Sequence, residues 1–205
     1  VSMSVPEFIF SSTGSVYGEA RIFPTPENAP FPTQTSLYGA SKLSAEAYIQ
    51  AFCEANKIKA NIFRFVSVLG PNYTHGHVID FVRQLSSDPS RLHVLGDGYQ
   101  TKSYMHVADC VSALASSKVI DSCSILNLGL DESCTVRDSI SWIIDEMGVT
   151  PRIYFGEGNK GWIGDNPMIL LDCLKAKNSG WRPSYNIEGA VRDTVQWLLA
   201  NRKHL

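Results

Sequence analysis

Short apolar runs alternate with segments of helical periodicity along most of the chain. The first run, Phe8 to Phe10, is continuous, which is typical of a strand buried on both faces. It ends in the hydroxyl residues Ser11, Ser12 and Thr13, followed by Gly14. Turn chemistry at the end of a strand is one interpretation of these residues. The other is a ligand site, because open α/β sheets bind ligands beyond the carboxyl ends of their strands.

An alternation of strands and helices follows this first strand. Residues 37–56 place their apolar side chains near one stripe and predict a helix. Thr135, with Asp138 three residues later, predicts the start of another helix, and Gly148 predicts its end. The remaining patterns predict strands at 60–71, 91–98, 124–129 and 152–156 and helices at 78–85, 106–119 and 187–200. This alternation is typical of an α/β protein with a largely parallel sheet, and the shorter strands after residue 70 indicate a second, smaller α/β region.

Composition narrows the expected partners and compartment. The chain has 205 residues, of which 44% are hydrophobic, and a net charge of -2 with scattered Lys and Arg. Neither nucleic acid nor a membrane surface is therefore expected as a partner. No apolar run approaches the roughly 20 residues that are needed to cross a bilayer. The five cysteines lie far apart without a CxxC pair, which favours a reduced, cytoplasmic setting.

The segment "YGASK" holds the strongest candidate chemistry. Its Tyr38 and Lys42 are four residues apart and project from one face of the predicted helix. A phenol is a poor base at neutral pH because its pKa is about 10, but a neighbouring ammonium favours the phenolate. With a hydroxyl such as that of Thr13 nearby, the pair would handle the proton of an alcohol during its oxidation to a ketone. When the pair is taken alone, the alternative interpretation is that the tyrosine packs against the protein and the lysine is exposed to solvent.

The pair His75 and His77 is a candidate for metal binding. No cluster of Cys or carboxylate residues is spaced to complete such a site, so no metal is expected. A contact with a nucleotide, or polar filling of a loop, is the favoured interpretation of these histidines.

Taken in order, the motifs resemble the extended short-chain dehydrogenase/reductase family, in particular its nucleotide-sugar epimerases and dehydratases. The segment "SSTGSVYGE" is similar to the catalytic Ser/Thr segment of that family, and "YGASK" is similar to its Tyr-Lys motif. "RFVSVLGP" resembles the strand that ends near nicotinamide and sugar, and "HGHVIDFVRQL" resembles the helix beside the diphosphate. "VLGDGYQTKSYMHVADCVSAL" is similar to the nucleobase and phosphate segment, and "ILNLG" and "GDNPMILLDCLKAKNSGWRP" are similar to the closing signatures.

The resemblance implies the carboxyl-terminal part of a Rossmann-like parallel sheet domain plus a smaller α/β sugar-nucleotide-binding region. Residues 1–70, joined by about 104–130, would form the first, and 71–103 and 131–205 mainly the second. No Gly-rich GxxGxxG stretch for the pyrophosphate of a dinucleotide is present in the sequence. We therefore expect the sequence to be the carboxyl-terminal part of a longer protein.

The resemblance also implies roles for the residues at matching positions. Tyr38 would be the base, Lys42 its electrostatic partner and a ligand of the cofactor ribose, and Thr13 the catalytic hydroxyl. The implied cofactor is NAD, with NADP left open, and a homodimer through the helix at 37–56 is also implied. The implied contacts with the cofactor are Ser11, Ser12, Tyr38, Lys42 and Phe65. The implied contacts with a nucleotide-sugar substrate are Thr13, Ser67, His77, Val78, Val94, Lys102 and Asp165.

Three positions depart from the family's pattern. Lys102 stands where an arginine usually grips the phosphates, and a lysine offers a point charge instead of a two-pronged contact. Trp162 also replaces an arginine that often meets the diphosphate, and Ser67 replaces an asparagine that contacts the sugar. Diphosphate binding is therefore expected to depend on Lys102, backbone amides and His77.

The residues after Thr13 favour one reaction of the family. Dehydratases have Thr-Asp-Glu at this point, whereas Gly14 and Ser15 follow here and carry no group that moves a second proton. Epimerisation needs only removal of a hydride, rotation of the ketone and return of the hydride. The resemblance thus favours epimerisation at C4 of a UDP-linked hexose, of the glucose or galactose type, over a dehydratase or reductase. The alternative to an enzyme is a non-catalytic module that keeps the fold and binds a nucleotide.

Overall fold

The computed structural model describes residues 7–31, 33–117, 123–159, 161, 166 and 168–205. Its helices are α1 (Leu37–Asn56), α2 (His77–Ser87), α3 (Val107–Ser116), α4 (Val136–Met147), α5 (Leu174–Asn178) and α6 (Ile187–Ala200). Its strands are β1 (Glu7–Thr13), β2 (Lys59–Phe65), β3 (Ser67–Leu69), β4 (Arg91–Val94), β5 (Thr101–Lys102), β6 (Tyr104–His106), β7 (Cys123–Leu128), β8 (Cys134–Thr135), β9 (Arg152–Phe155) and β10 (Met168–Ile169).

The strands β1, β2 and β7 form a parallel sheet in the order β1-β2-β7. Thr13 pairs with Phe65, and Phe65 pairs with Leu128, so the three strands end at the same edge. Parallel pairs also join β3 to β6, β4 to β9 and β10 to β5, while β5 and β8 pair antiparallel. These pairings confirm the predicted α/β class with mainly parallel strands.

Local sequence signals set the ends of the helices that matter for the site. The Ser36 side chain accepts a hydrogen bond from the Gly39 amide and starts α1, which has its predicted bounds. In α4 the predicted capping box is present, because Thr135 and Asp138 bond each other reciprocally. Gly148 ends this helix in the left-handed conformation, with a φ of 64°.

The prediction of a single strand at 60–71 is wrong, because β2 and β3 are separate strands with Val66 between them. The Val66 amide donates to the Leu128 carbonyl at 3.0 Å. Its side chain packs so tightly on Gly129 that a Cβ there would lie 2.7 Å from Val66 Cγ1. This close approach keeps β2 beside β7, while β3 turns away and pairs with β6. A continuous apolar run has no period that would reveal such a break.

Strand β1 is less buried than its sequence predicted. Phe8 and Ile9 are 41% and 46% exposed, and Phe10 is partly buried. Among the described strands β1 pairs with β2 alone, so it forms the edge of this sheet. Its apolar side chains therefore lack the cover that a second neighbouring strand would bring.

Two clusters of buried side chains form the interior of the described part of the chain. One lies against β2 and β7 and includes Phe63 and Leu128, and the other joins α2, α4 and α6 and includes Ile143. The resemblance places residues 131–205 mainly in the second region, yet Leu171 and Trp181 are buried in the first cluster. This segment therefore packs with the parallel sheet, because its large apolar side chains fill space beside β7.

Candidate active site

A cleft of about 1220 Å³ opens at the carboxyl ends of β1 and β2. Thr13 and Phe65, the paired residues that end these strands, line the cleft together with Tyr38 of α1. The other predicted substrate contacts that line it are Ser67, His77 and Lys102. The cleft thus lies where an open parallel sheet is expected to bind its ligand.

The turn after β1 fixes the Thr13 hydroxyl at the cleft. Thr13 caps the 3₁₀ turn Gly14–Tyr17, and its Oγ1 accepts a hydrogen bond from the Ser15 amide at 3.1 Å. The same Oγ1 donates to Ser15 Oγ at 3.2 Å. This second bond is long for two hydroxyls, so the Thr13 proton is available to a better acceptor in the cleft.

Tyr38 and Lys42 lie one turn apart on α1. Tyr38 is 55% exposed and lines the cleft from the first turn of the helix. The Lys42 ammonium lies 5.9 Å from the centroid of the Tyr38 ring. It donates to the Ser11 carbonyl at 2.8 Å and lies 4.8 Å from the centroid of the Phe10 ring. A positive charge thus stands beside the phenol at the end of β1.

The two hydroxyls that end β1 have different partners. Ser12 is buried, and its hydroxyl donates to the carboxylate of Glu46, a residue of α1 with no exposed surface. Glu46 also accepts three hydrogen bonds from Arg64 of β2, the shortest at 2.6 Å. The Ser12 proton is therefore committed to a charged acceptor, which leaves Thr13 as the hydroxyl that can act on a ligand.

The buried ion pair continues into a polar network beside the cleft. Arg64 donates to the Tyr17 hydroxyl at 2.7 Å, and Tyr17 donates to Asn127 Oδ1 at 2.8 Å. Asn127 in turn donates to the carbonyls of Thr25 and Asp172. Burial raises the pKa of Tyr17 and outweighs the opposing charge of Arg64, so this phenol stays neutral.

Glu46 and Arg64 were not predicted as site residues. The signal for Glu46 was positional, because it follows Lys42 by four residues and shares the helix face of Tyr38. The signal for Arg64 was a charge inside an apolar strand, since buried charges are normally paired. Sequence spacing does not show that the two charges meet, because they lie on different elements.

The start of α2 forms another part of the cleft wall. Gly76 precedes this helix without a side-chain cap, and both Gly76 and His77 line the cleft. The first amides of a helix attract anions, so this wall suits a phosphate. His77 shares a hydrogen bond of 2.8 Å with Ser139. Burial, with a smaller effect of the Lys102 charge, lowers the pKa of His77 to about 4, so it brings no positive charge to a phosphate at pH 7.

Val78 and Val94 are not among the residues that line the cleft, although the resemblance implied that they contact the substrate. Both side chains are apolar and face the interior, where they are 0% and 4% exposed. A substrate contact from either residue would have to come from its backbone. The predictions for Trp162 and Asp165 fall outside the described residues.

Two features are absent from the described part of the chain. No group of three or more His, Cys, Asp or Glu side chains there is placed to hold a metal ion. No helix described there has both the length and the apolar character to cross a membrane.

Comparison with known proteins identifies the family. Residues 2–121 match the model of the NAD dependent epimerase/dehydratase family. The chain is 27% identical to UDP-glucose 4-epimerase of Erwinia amylovora, over 98% of the chain and 65% of that enzyme. It is 26% identical to dTDP-D-glucose 4,6-dehydratase of Homo sapiens, over 96% of the chain and 57% of that protein. The structure of UDP-glucose 4-epimerase from Thermotoga maritima with UDP-glucose matches with a TM-score of 0.84 at 30% identity, over 97% of the chain and 65% of that structure.

These matches confirm the resemblance and the Rossmann-like α/β fold that the motifs predicted. The chain spans 65% of the length of the Erwinia enzyme and 57% of the human one. Because the relatives include epimerases and a dehydratase, the comparisons do not distinguish epimerisation from dehydration as the reaction. The family's description also confirms NAD, the cofactor implied by the motifs. The chain belongs to the NAD-dependent epimerase/dehydratase family.

Proposed function

We propose that the protein containing this chain is an NAD-dependent 4-epimerase of a UDP-linked hexose, of the glucose or galactose type. The observation that carries the proposal is one cleft lined by the Thr13 hydroxyl and the Tyr38 phenol, with the Lys42 ammonium beside the phenol. At about 1220 Å³ the cleft is larger than a typical small-molecule site. It therefore has room for a nucleotide sugar and the reacting end of a cofactor.

In this proposal Tyr38 is the base. Its phenolate takes the proton of the C4 hydroxyl, and the positive charge of Lys42 stabilises the phenolate. Thr13, oriented by Ser15, hydrogen-bonds the same sugar oxygen and keeps it in line with the phenol. Bound NAD would supply the acceptor for the C4 hydride. After the 4-keto sugar has rotated, return of the hydride to the other face of C4, and of the proton from Tyr38 to the C4 oxygen, would complete the change of configuration.

The residues at the end of β1 fit the nicotinamide side of NAD. The partly buried Lys42 ammonium and the Ser11 carbonyl, 2.8 Å apart, offer a donor and an acceptor to ribose hydroxyls. Phe65 lines the cleft and presents an apolar ring to the nicotinamide. The Ser12 hydroxyl can only accept a hydrogen bond from the cofactor, because its proton is directed to Glu46.

Packing around Gly14 supports an epimerase over a dehydratase. A Cβ at this position would lie 3.2 Å from the Phe65 carbonyl and 3.3 Å from Leu171 Cδ1. The aspartate that the dehydratase pattern has after Thr13 would not fit here without a shift of these neighbours. The next residue, Ser15, already bonds Thr13 and is a weaker acid-base group than a carboxylate.

A dehydratase is the second candidate function. The human dehydratase relative aligns with 96% of this chain. A dehydratase would release water from the nucleotide sugar, whereas an epimerase leaves the mass of its substrate unchanged. Mass spectrometry of the product therefore distinguishes the two reactions.

Lys102 and the start of α2 support a diphosphate as the anchor of the substrate. Lys102 brings a positive charge to the cleft, and the amides that follow Gly76 bring uncapped donors. Ser67 is exposed and lines the same cleft. It lies two residues after Phe65, which also lines the cleft. We assign the diphosphate to Lys102 and α2, and the hexose to the side of Ser67 and Thr13.

The test is incubation of the full natural polypeptide with UDP-galactose and NAD, followed by separation of the nucleotide sugars. We expect UDP-glucose to form without net consumption of NAD. N-acetylated UDP-hexoses, treated in parallel, define the preferred sugar. No change of configuration in any of these substrates would contradict the proposal, and loss of water would favour the dehydratase.

We also propose a homodimer that packs through α1 and a cytoplasmic location. Leu37, Tyr48 and Phe52 of α1 are 92%, 79% and 60% exposed, and such large apolar side chains favour a covered surface. The five cysteines are free thiols, as expected in a reducing compartment. Sedimentation of the natural protein and of Phe52→Asp tests the dimer, and a monomeric natural protein would contradict it.

A further inference from the structure

We propose that Glu46 and Arg64 are positioning residues that set how α1, which carries Tyr38, sits on the end of β1, which carries Thr13. Neither residue lines the cleft, so both act through the groups they hold. The inference rests on the proposed function and adds two residues to its machinery.

One face of α1 is tied to the end of β1 at successive points. Tyr38, Lys42 and Glu46 follow one another at four-residue intervals, which places them in a row along the helix. Lys42 donates to the Ser11 carbonyl at 2.8 Å, and Glu46 accepts a hydrogen bond from the Ser12 hydroxyl. Ser11 and Ser12, adjacent in β1, are thus bonded to successive turns of the helix. Tyr38 continues the same row into the cleft.

Arg64 fixes the Glu46 carboxylate from the adjacent strand. Ser12 and Arg64 are register partners on β1 and β2, so both reach the same carboxylate. Arg64 Nη2 donates to Oε2 at 2.6 Å, and Nε donates to the two oxygens at 3.1 and 3.2 Å. A planar guanidinium that binds through two nitrogens permits one orientation of its partner, which a lysine would not impose.

The third guanidinium nitrogen of Arg64 is also bonded, so the pair has little freedom to adjust. Nη1 donates to the Tyr17 hydroxyl at 2.7 Å and to the Glu27 carbonyl at 3.0 Å. Through Asn127, Tyr17 is connected to the Asp172 carbonyl in the segment that packs beside β7. A buried network with its members bonded in this way rigidifies the elements that it joins.

Stability alone is a weak explanation for such a pair. Buried ion pairs can often be replaced by apolar residues of similar volume with little loss of stability. Apolar residues would not direct the Ser12 hydroxyl or fix the depth of α1 on the sheet. A displacement of about 1 Å can lower a catalytic rate about 100-fold. The pair should therefore affect kcat more than it affects folding or substrate binding.

The test is the double replacement Glu46→Leu with Arg64→Met in the full natural polypeptide. We expect a folded protein with a thermal midpoint close to that of the natural protein, KM and UDP affinity within about threefold, and kcat reduced about 10- to 100-fold. Arg64→Lys keeps the charge without the planar fork, so its kcat should fall between those of the natural protein and the double variant. The matched control is Glu54→Gln with Lys57→Met, which removes an exposed ion pair of 3.3 Å at the carboxyl end of the same helix and should leave kcat unchanged.

Hydrogen exchange gives a readout that does not need turnover. In the double variant the amides of residues 11–13 and 38–42 should exchange faster than in the natural protein, while those of α6 keep their protection. Natural kcat in the double variant, or unchanged exchange in both segments, would overturn the proposal. Parallel loss of kcat, UDP affinity and thermal midpoint would also overturn it, because that pattern indicates general unfolding. If the natural protein turns over no nucleotide sugar, the proposed function fails, and the exchange measurement still decides the positioning role.

Discussion

Acid is expected to destabilise the protein through His77. Its ring centroid lies 5.7 Å from that of Phe81 and 5.4 Å from that of Tyr104, and its Nε2 shares a hydrogen bond with Ser139. Burial, followed by the charge of Lys102, lowers the pKa of His77 from 6.5 to about 4. The folded protein therefore keeps this histidine neutral at pH values where the unfolded chain protonates it.

The sign and size of the effect follow from these two pKa values. Above pH 6.5 the histidine is mainly neutral in both states, and its full contribution to stability is present. As pH falls from 6.5 to about 4, the unfolded chain gains a proton that the folded protein does not, so the free energy of unfolding decreases. At about 1.4 kcal/mol per pKa unit, the total loss is at most about 3.5 kcal/mol.

Urea denaturation of the natural protein and of His77→Gln at several pH values measures this contribution. Glutamine can still hydrogen-bond Ser139 but does not titrate. The natural protein should therefore lose about 2.5 kcal/mol more than the variant between about pH 7.5 and pH 4.5. Lys102→Met, which removes the neighbouring charge, should make this loss slightly smaller. Equal pH dependence in the natural protein and His77→Gln would refute the reasoning.

Three further substitutions test other contacts. Arg64→Met leaves Glu46 buried without its ion pair and should lower the free energy of unfolding by about 3–5 kcal/mol in guanidinium denaturation. Gly39→Ala places a Cβ 2.7 Å from the Ser15 carbonyl, so α1 must shift from the turn after β1, and steady-state kinetics should show a lower kcat. Lys102→Met removes a charge from the cleft, and calorimetric titration should show UDP binding about 10- to 100-fold weaker. Unchanged stability, kcat or UDP affinity, respectively, would contradict the contact concerned.

The long elements could be predicted because their sequences carry both a period and clear ends. Helices α1 and α6 have their predicted bounds, and α4 has its predicted capping box. Strands β5, β8 and β10 have two residues each, and α5 has five. Elements of this length show no period, and they depend on strand pairing or packing against distant parts of the chain, so the sequence pattern did not indicate them.

For the site, local spacing was informative and long-range pairing was not. The i, i+4 spacing of Tyr38 and Lys42 indicated that they share a helix face, because that relation depends only on helix geometry. Glu46 is 18 residues from Arg64 and 34 from Ser12, so their contact arises only when α1 packs on the sheet. The same limit applies to Val78, whose side chain is directed into the core by the packing of α2.

The central claim is that the Tyr38 phenol takes a proton from a sugar hydroxyl held by Thr13. The most direct measurement is the kcat of Tyr38→Phe for UDP-galactose, with UDP affinity measured on the same preparation. Phenylalanine keeps the ring and removes only the hydroxyl, so UDP affinity should stay the same while kcat falls about 100- to 10,000-fold. A Tyr38→Phe protein with kcat within about threefold of the natural protein would contradict the claim.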